Sequence, residues 1–141
     1  MLYVGRIIRT GAILLSVLGA SPAAADTIAV IGTGEVGSAL GPEFAALGHR
    51  IVYGSREPAR ADVAALVARS GDGASAALPE AAAAEADIVV LAVPGLLVEE
   101  ITRDLGDLSG KIIIDPTNAL RRGDDGQLEM GVETSNAEII Q

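Results

Sequence analysis

Apolar and polar positions alternate along this chain in blocks that predict an α/β fold. Four continuous apolar runs have the β-branched character of buried strands: 28–31, 51–53, 87–94 and 111–115. A weaker signal at 74–76 predicts one more strand. Helical spacing fills the stretches between them: 35–47, 59–69, 79–85 and 96–105. Strands that alternate with helices predict right-handed crossovers and a doubly wound parallel sheet.

The predicted helices direct apolar side chains toward the sheet. In the first two helices these side chains are Val36, Leu40, Phe44 and Leu47, then Val63, Leu66 and Val67. Pro42 lies inside the first helix, where it removes a backbone hydrogen bond and is predicted to kink the helix. After Asn118 the alternation stops, with a polar loop predicted at 121–126 and the first turns of a helix at 135–141. We therefore expect a sheet shortened after about five strands, since a complete one would continue to a sixth.

A glycine-rich turn joins the first strand to the first helix: Gly32, Thr33, Gly34, Glu35, Val36 and Gly37. Gly32 can take the positive φ of a tight turn, Gly34 leaves room for a pyrophosphate, and Gly37 lets the helix lie close to the strand. The pyrophosphate would bind N–H groups at the positive end of the helix dipole. With a second strand about 20 residues on, the motif predicts a Rossmann-type dinucleotide-binding unit. The alternative is a turn with a structural role only.

The end of the second strand indicates which dinucleotide is bound. An NAD-binding unit usually has Asp or Glu there, to accept hydrogen bonds from the ribose 2′-hydroxyl. This chain has Gly54, Ser55 and Arg56 instead. A hydroxyl and a guanidinium would bind a 2′-phosphate that a carboxylate would repel, and Arg60 could add a second charge. NADP(H) is therefore the predicted cofactor, and a solvated surface role for Arg56 is the alternative.

Residues 1–25 have the pattern of a signal peptide. Arg6 and Arg9 precede a short apolar core at 12–18, and Ala23-Ala24-Ala25 offers a cleavage site. The core is shorter than the roughly 20 residues of a spanning helix, so no stable membrane span is expected after cleavage. The prediction is an exported or periplasmic domain comprising residues 26–141, or a cytoplasmic protein if the segment is not a signal. An uncleaved anchor and a wrongly assigned start codon are the alternatives.

Composition narrows the classes of partner. Without Arg6 and Arg9, eight basic residues stand against 19 acidic ones, a formal charge of −11. Such a domain repels phosphate backbones, so nucleic acid is an unfavourable partner. The chain has no cysteine and one histidine, His49, which is predicted to lie in a loop. No metal-binding cluster and no Ser/His/Asp arrangement is visible in the sequence.

Four segments together resemble a known family of enzymes: 28–37, 54–56, 91–94 and 114–118. They are similar to NADPH-dependent reductases of the deazaflavin coenzyme F-420. The same N-terminal domain occurs in pyrroline carboxylate reductases and in membrane metalloreductases. The resemblance covers residues 27–141, and Gly-Ser-Arg together with Asp115-Pro116-Thr117-Asn118 makes it specific.

The resemblance implies a role for each matching residue. Thr33, Gly34, Glu35 and Val36 would line the pyrophosphate, and Ser55 and Arg56 would hold the 2′-phosphate. The cofactor's ribose would lie beside Ala92, Val93 and Pro94, with Asn118 near the nicotinamide. Two of these motifs have simpler alternatives, because Asp115 could only cap a turn and Pro94 could only begin a helix.

The family transfers hydride directly between two cofactor rings, so no acid–base residue is required. The leading hypothesis is therefore an NADP(H)-dependent oxidoreductase domain acting on a deazaflavin or a flavin-like acceptor. A non-catalytic NADP-binding module or a truncated remnant is the alternative, and the nucleotide-binding half of a metalloreductase-like system is a third. The family's members continue into strands and helices that help form the deazaflavin pocket and a homodimer. They are also cytosolic, which conflicts with an export signal.

Overall fold

Residues 25–141 are described by a computed structural model, and they form a five-stranded parallel sheet with helices on both faces. The elements, in chain order, are β1 Thr27–Ile31, α1 Glu35–Ala46, β2 Arg50–Gly54, α2 Ala61–Arg69, β3 Ala74–Ala77, α3 Pro79–Glu85, β4 Ile88–Leu91, a 3₁₀ turn Gly95–Leu97, α4 Val98–Asp104, β5 Ile112–Ile114, β6 Leu120–Arg122, β7 Leu128–Met130 and α5 Asn136–Ile139. The strand order β3-β2-β1-β4-β5 confirms the predicted Rossmann-type, doubly wound sheet.

Two apolar clusters hold the layers together, one on each face of the sheet. Helices α1 and α2 pack through Leu40, Phe44 and Leu66 on one face, against residues of β1, β2 and β4. Helices α3 and α4 cover the other face, where Ala83 and Val98 contact the alternate residues of the same strands. Because β1, β2 and β4 are buried on both faces, their sequences are continuous apolar runs.

The predicted contact face of α1 is partly wrong. Leu40 and Phe44 pack inward, but Val36 is 47% exposed and Leu47 is 76% exposed. The residues of α1 that are buried are Gly37 and Gly41. A Cβ atom at Gly41 would collide with the ring and hydroxyl of Tyr53, so α1 approaches the sheet along a glycine surface. An apolar periodicity does not detect a contact that is made without side chains.

Pro42 lies within α1 as predicted, and its missing N–H has a structural replacement. A helical residue at this position would donate to the carbonyl oxygen of Ser38, four residues earlier. The guanidinium of Arg69, at the end of α2, donates to that oxygen at 3.0 Å. The side chain therefore satisfies a carbonyl that the proline leaves without its helical partner, and it also ties α2 to α1.

The segment after β5 differs from the prediction. Of residues 121–126, expected as a polar loop, Arg121 and Arg122 belong to β6 of an antiparallel hairpin with β7, whereas 123–126 form its loop as predicted. The six strand residues of this hairpin are exposed, and each strand is only three residues long, which is too short for an alternating pattern to be recognised. Its pairing rests on backbone hydrogen bonds and on an ion pair of 2.9 Å between Arg121 and Glu129. The predicted helix at 135–141 is present as α5, which is shorter.

Three further predictions concern His49, membrane-spanning helices and the N-terminal segment. His49 lies between α1 and β2, in the predicted loop, 3.8 Å from the carboxylate of Asp26. No helix within residues 25–141 has the length and apolar character needed to cross a bilayer. The predicted signal peptide falls almost entirely outside the described residues, which begin at Ala25.

Tyr53 is a fully buried polar side chain, and its hydroxyl provides a test of the core. The hydroxyl lies 2.6 Å from Oγ of Ser70, which itself donates to the carbonyl of Leu66 at 3.0 Å. Tyr53→Phe removes one buried hydrogen bond and should lower the free energy of unfolding by about 1 kcal/mol at neutral pH. Urea denaturation of the two proteins measures the difference, and an unchanged midpoint would contradict the assignment.

The same pair of proteins should respond differently to alkaline pH. Burial raises the pKa of Tyr53, so the folded protein retains the phenolic proton more strongly than the unfolded chain. This contribution to stability is complete below the pKa of an unfolded tyrosine, about 10, and is lost as pH rises through the higher folded pKa. Above about pH 10 the wild-type protein should therefore lose stability more steeply than Tyr53→Phe, which has no such group.

Candidate functional site

A cleft of about 600 Å³ opens at the carboxyl ends of β1, β2 and β4. Nine of the thirteen predicted site residues line it: Gly32, Thr33, Gly34, Ser55, Arg56, Arg60, Ala92, Val93 and Pro94. The other lining residues are Ile31, Gly54, Glu57, Pro79, Leu97, Glu100, Ile101 and Asp104. This edge of a doubly wound sheet, where β1 has β2 on one side and β4 on the other, is where such folds bind ligands.

The turn between β1 and α1 requires glycine at two positions. Gly32 has φ of +103°, and its N–H donates to the carbonyl of Gly54 at 2.9 Å. A Cβ atom at Gly32 would also collide with the carbonyl of Ala92, and one at Gly37 would collide with the carbonyl of Gly32. The turn therefore joins β1, β2 and the end of β4 at one point, with α1 against it.

The start of α1 supplies backbone donors to the cleft. Gly34 is the residue before the helix, and it has no side chain with which to cap the first N–H groups. A Cβ atom placed on Gly34 would meet no atom within 4 Å, so the space in front of the helix is open. The arrangement fits an anion at the positive end of the helix dipole. The side chains of Glu35 and Val36 are exposed and, like Gly37, do not line the cleft.

Ser55 is held rigidly at the end of β2. It is 7% exposed, and its N–H donates to the carbonyl of Ala77 at 2.9 Å. Its Oγ accepts a hydrogen bond from the N–H of Glu57 at 3.2 Å, which bends the chain directly after the strand. Arg56 is exposed at this bend and lines the cleft. Within residues 25–141 no carboxylate lies within 4.0 Å of its guanidinium.

Arg60 lines the same cleft but already has a partner. Its Nε and Nη2 atoms donate to the two carboxylate oxygens of Asp62, at 2.6 and 2.8 Å. This bidentate hydrogen bonding raises the pKa of Arg60 and lowers the pKa of Asp62. The charge of Arg60 is thus neutralised by Asp62, whereas Arg56 keeps its full positive charge. The two arginines that the sequence suggested are therefore not equivalent.

The cleft is electrically asymmetric. Arg56, Glu57 and the ion-paired Arg60 lie beside the end of β2, while Glu100 and Asp104 line the cleft from α4 without an arginine beside them in the lining. A phosphate group is attracted to the first side and repelled by the second. The sequence reading did not select the two carboxylates of α4. Their spacing of four residues on a helix, which places them on one face, is the signal that could have found them.

The residues after β4 both line the cleft and begin a turn. The N–H of Ala92 donates to the carbonyl of Ile31 at 2.8 Å, which continues the sheet toward the cleft. Pro94 precedes the 3₁₀ turn, and its carbonyl accepts from the N–H of Leu97 at 2.9 Å. Pro94 therefore begins a helical turn, which is the simpler role considered for it, and it also lines the cleft.

Asn118 is exposed and does not line the cleft within the described part of the chain. Its backbone carbonyl lies over Gly95, where a Cβ atom would collide with it. The carboxylate of Asp115 accepts from the N–H and the hydroxyl of Thr117, at 2.9 and 2.5 Å, so it caps the turn after β5. This capping is the alternative role considered for Asp115.

Asn136, a buried residue at the start of α5, connects these two segments. Its Nδ2 donates to the carbonyl of Gly95 at 2.9 Å and to the hydroxyl of Thr117 at 2.8 Å. The sequence reading did not select it. Ser135 and Glu138 form a capping box that marks the first residue of α5, and this pattern could have indicated where Asn136 lies.

Comparison with known proteins identifies the class of this domain. Residues 27–119 match the family described as NADP oxidoreductase, coenzyme F420-dependent. The chain therefore belongs to this family, in agreement with the resemblance noted from its motifs.

Solved structures agree with that assignment. A protein of Arthrobacter sp. FB24, assigned as an F420-dependent NADP reductase, is 30% identical with a TM-score of 0.72, over 82% of this chain and 56% of its own. An imine reductase from Aspergillus terreus in complex with NADPH4 is 26% identical, with a TM-score of 0.55, over 67% of this chain and 32% of its own. A reductive aminase from the same organism, in complex with NADPH, is 27% identical, with a TM-score of 0.54, over 67% of this chain and 32% of its own. The chain thus spans a little over half of the Arthrobacter protein.

The glycine turn generates a paired prediction. In Gly37→Ala the new methyl group meets the backbone carbonyl of Gly32, which cannot move without disturbing β1. We expect a loss of about 1–3 kcal/mol in the free energy of unfolding, as for other overpacked sites. Gly34→Ala adds the same methyl group in open space and should cost less than about 1 kcal/mol, the value of a capping preference. Equal losses in urea denaturation would contradict the close contact of α1 with the turn.

Proposed function

We propose that this chain binds NADP(H) in the cleft and transfers hydride between it and a deazaflavin or flavin-like acceptor. The observation that carries the proposal is the end of β2, where the buried Ser55 is followed by Arg56, whose guanidinium has no ion pair within residues 25–141. A 2′-phosphate would accept charge-assisted hydrogen bonds from this arginine. The family and the NADPH complexes of two related structures support the same cofactor.

The lining of the cleft supports one orientation of the cofactor. Its pyrophosphate would accept hydrogen bonds from the backbone at Thr33 and Gly34, in front of α1. The adenosine end would extend toward Ser55 and Arg56, and the nicotinamide end toward Pro94. Glu100 and Asp104 oppose the reverse placement of the phosphates on the α4 side, because they would repel them.

Hydride transfer requires little acid–base chemistry from the protein. When bound, the nicotinamide supplies the hydride, and the protein contributes binding, orientation and exclusion of water. Apolar lining residues on the β4 side, including Val93, Leu97 and Ile101, suit a site where an uncharged ring must be held and kept dry. The deazaflavin is proposed as acceptor because of the family to which the chain belongs.

A non-catalytic NADP-binding module is the second candidate. It uses the same cleft and belongs to the same family as the first candidate. In that case the cleft would bind NADP(H) without turnover. Mixing the chain with NADPH and an oxidised deazaflavin, and following the absorbance of both, separates the two candidates. Consumption of NADPH matched by reduction of the deazaflavin supports the reductase, whereas binding without consumption supports the module.

Arg56→Ala tests the proposed cofactor site. Removing the guanidinium should weaken NADPH binding by about 1.5–3 kcal/mol, the range for hydrogen bonds to charged groups. NADH lacks the 2′-phosphate, so its weaker binding should be nearly unchanged. Calorimetric titration with each cofactor measures both values. An equal loss for NADPH and NADH would contradict the assignment of Arg56 to the 2′-phosphate.

Arg60→Ala is the matched control, because it removes a second arginine from the same cleft. Its guanidinium is already bound by Asp62, so we expect a smaller loss of NADPH affinity than for Arg56→Ala. Asp62→Asn removes the competing charge and should partly restore the attraction of Arg60 for a phosphate. Its NADPH affinity should therefore equal or exceed that of the wild-type protein, with no corresponding change for NADH.

A further inference from the structure

Asn136 is a buried polar side chain that contacts two segments of the chain beside the cleft. It lies at the start of α5 and is 7% exposed. Its Nδ2 atom donates to the carbonyl of Gly95 at 2.9 Å and to the hydroxyl of Thr117 at 2.8 Å. Gly95 ends the segment after β4, residues 92–95, whose other three residues line the cleft. Thr117 lies in the turn after β5, so one side chain joins the ends of two neighbouring strands.

The partners of Asn136 fix the direction of its amide group. The hydroxyl of Thr117 donates its only proton to the carboxylate of Asp115, at 2.5 Å, so toward Asn136 it can only accept. The carbonyl of Gly95 is an acceptor as well. Both contacts therefore require the NH₂ group of an amide. A carboxylate at this position would place one acceptor against two others.

The backbone of Gly95 is packed directly against the turn after β5. A Cβ atom at Gly95 would collide with the carbonyl of Asn118 and would lie 2.7 Å from the backbone nitrogen of Ala119. This contact blocks movement of Gly95 toward the turn, while the two hydrogen bonds of Asn136 oppose separation of the two segments. The position of Pro94, the chain neighbour of Gly95 in the cleft, is restrained with it.

We propose that Asn136 is a positioning residue for the cofactor. Through Gly95 it holds Val93 and Pro94 in place, at the end of the cleft toward which the nicotinamide would extend. The inference rests on the proposed function, in which the adenosine end of NADP(H) lies at the end of β2. The hydrogen bonds of Ser55 at that end do not involve Asn136. Asn136 therefore acts on one half of the cofactor and not on the other.

Two ligands separate these halves in the full-length chain. NADPH spans the cleft, whereas adenosine 2′,5′-bisphosphate carries the adenosine and the 2′-phosphate but no nicotinamide. We expect Asn136→Asp to weaken NADPH binding roughly tenfold, as for the loss of a buried hydrogen bond, and to leave the bisphosphate nearly unchanged. Arg56→Ala should weaken both ligands. Calorimetric titration measures each affinity, and an equal loss for both ligands in Asn136→Asp would overturn the proposal.

Ser135→Ala is the matched control on the same helix. It removes the oxygen that accepts from the N–H of Glu138 in the capping box, and it leaves the amide of Asn136 intact. We expect its NADPH affinity to be nearly unchanged. If Asn136 acted only by stabilising α5, Ser135→Ala and Asn136→Asp would weaken NADPH alike, which would contradict a positioning role. Asn136→Ala loses the same two hydrogen bonds without adding a charge and replaces Asn136→Asp if circular dichroism shows that variant to be unfolded.

A measurement without cofactor distinguishes this inference from the proposed function. The N–H of Leu97 donates to the carbonyl of Pro94 at 2.9 Å, so its hydrogen exchange reports on the segment after β4 directly. We expect faster exchange at Leu97 in Asn136→Asp than in the wild-type protein or in Ser135→Ala. Equal exchange in all three would overturn the proposal. If the wild-type protein binds neither ligand, the proposed function fails, and the exchange at Leu97 still decides whether Asn136 holds the segment.

Discussion

The contact between the glycine turn and α1 is the constraint on which the site depends. Gly32 bends the chain where β1, β2 and the end of β4 meet, and Gly37 lets the helix rest on that bend. The helix therefore begins directly beside the cleft, which Gly34, the residue before its first turn, lines. The cleft depends on one turn in which glycine is required at the point of contact with β2, β4 and α1.

The charged side chains make the two sides of the cleft different for a phosphate group. The domain is strongly acidic overall, and at the end of β2 the two arginines Arg56 and Arg60 stand beside the two carboxylates Glu57 and Asp62. Arg60 is compensated by Asp62, which leaves Arg56 as the lining arginine with a full charge to offer. Carboxylates on α4 make the opposite side unfavourable for phosphate. Selectivity for a phosphorylated ribose would thus come from one uncompensated side chain in a generally repulsive field.

The elements that could be predicted are those that leave a strong apolar or glycine pattern in the sequence. Buried strands such as 28–31 could be predicted because they are apolar on both faces, and the glycine motif located the turn between β1 and α1. Contacts made without side chains could not be predicted in this way. Val36 and Leu47 were therefore predicted to face the sheet, whereas the buried surface of α1 is formed by Gly37 and Gly41. The strands β6 and β7 are only three residues long, too short for a periodic pattern to be recognised. The pairing of Arg60 with Asp62 and the bonds of Asn136 depend on distances that no spacing rule supplies.

The segment that was hardest to predict is also connected to the cleft. Asn136 ties α5 to the carbonyl of Gly95 and to Thr117, and Gly95 follows the cleft residue Pro94 directly. A displacement of α5 would therefore also move Gly95, at the side of the cleft proposed for the nicotinamide. The side of the cleft with Ser55 and Arg56 lies at the end of β2 and takes no part in these hydrogen bonds, so on physical grounds it is separable from changes at α5.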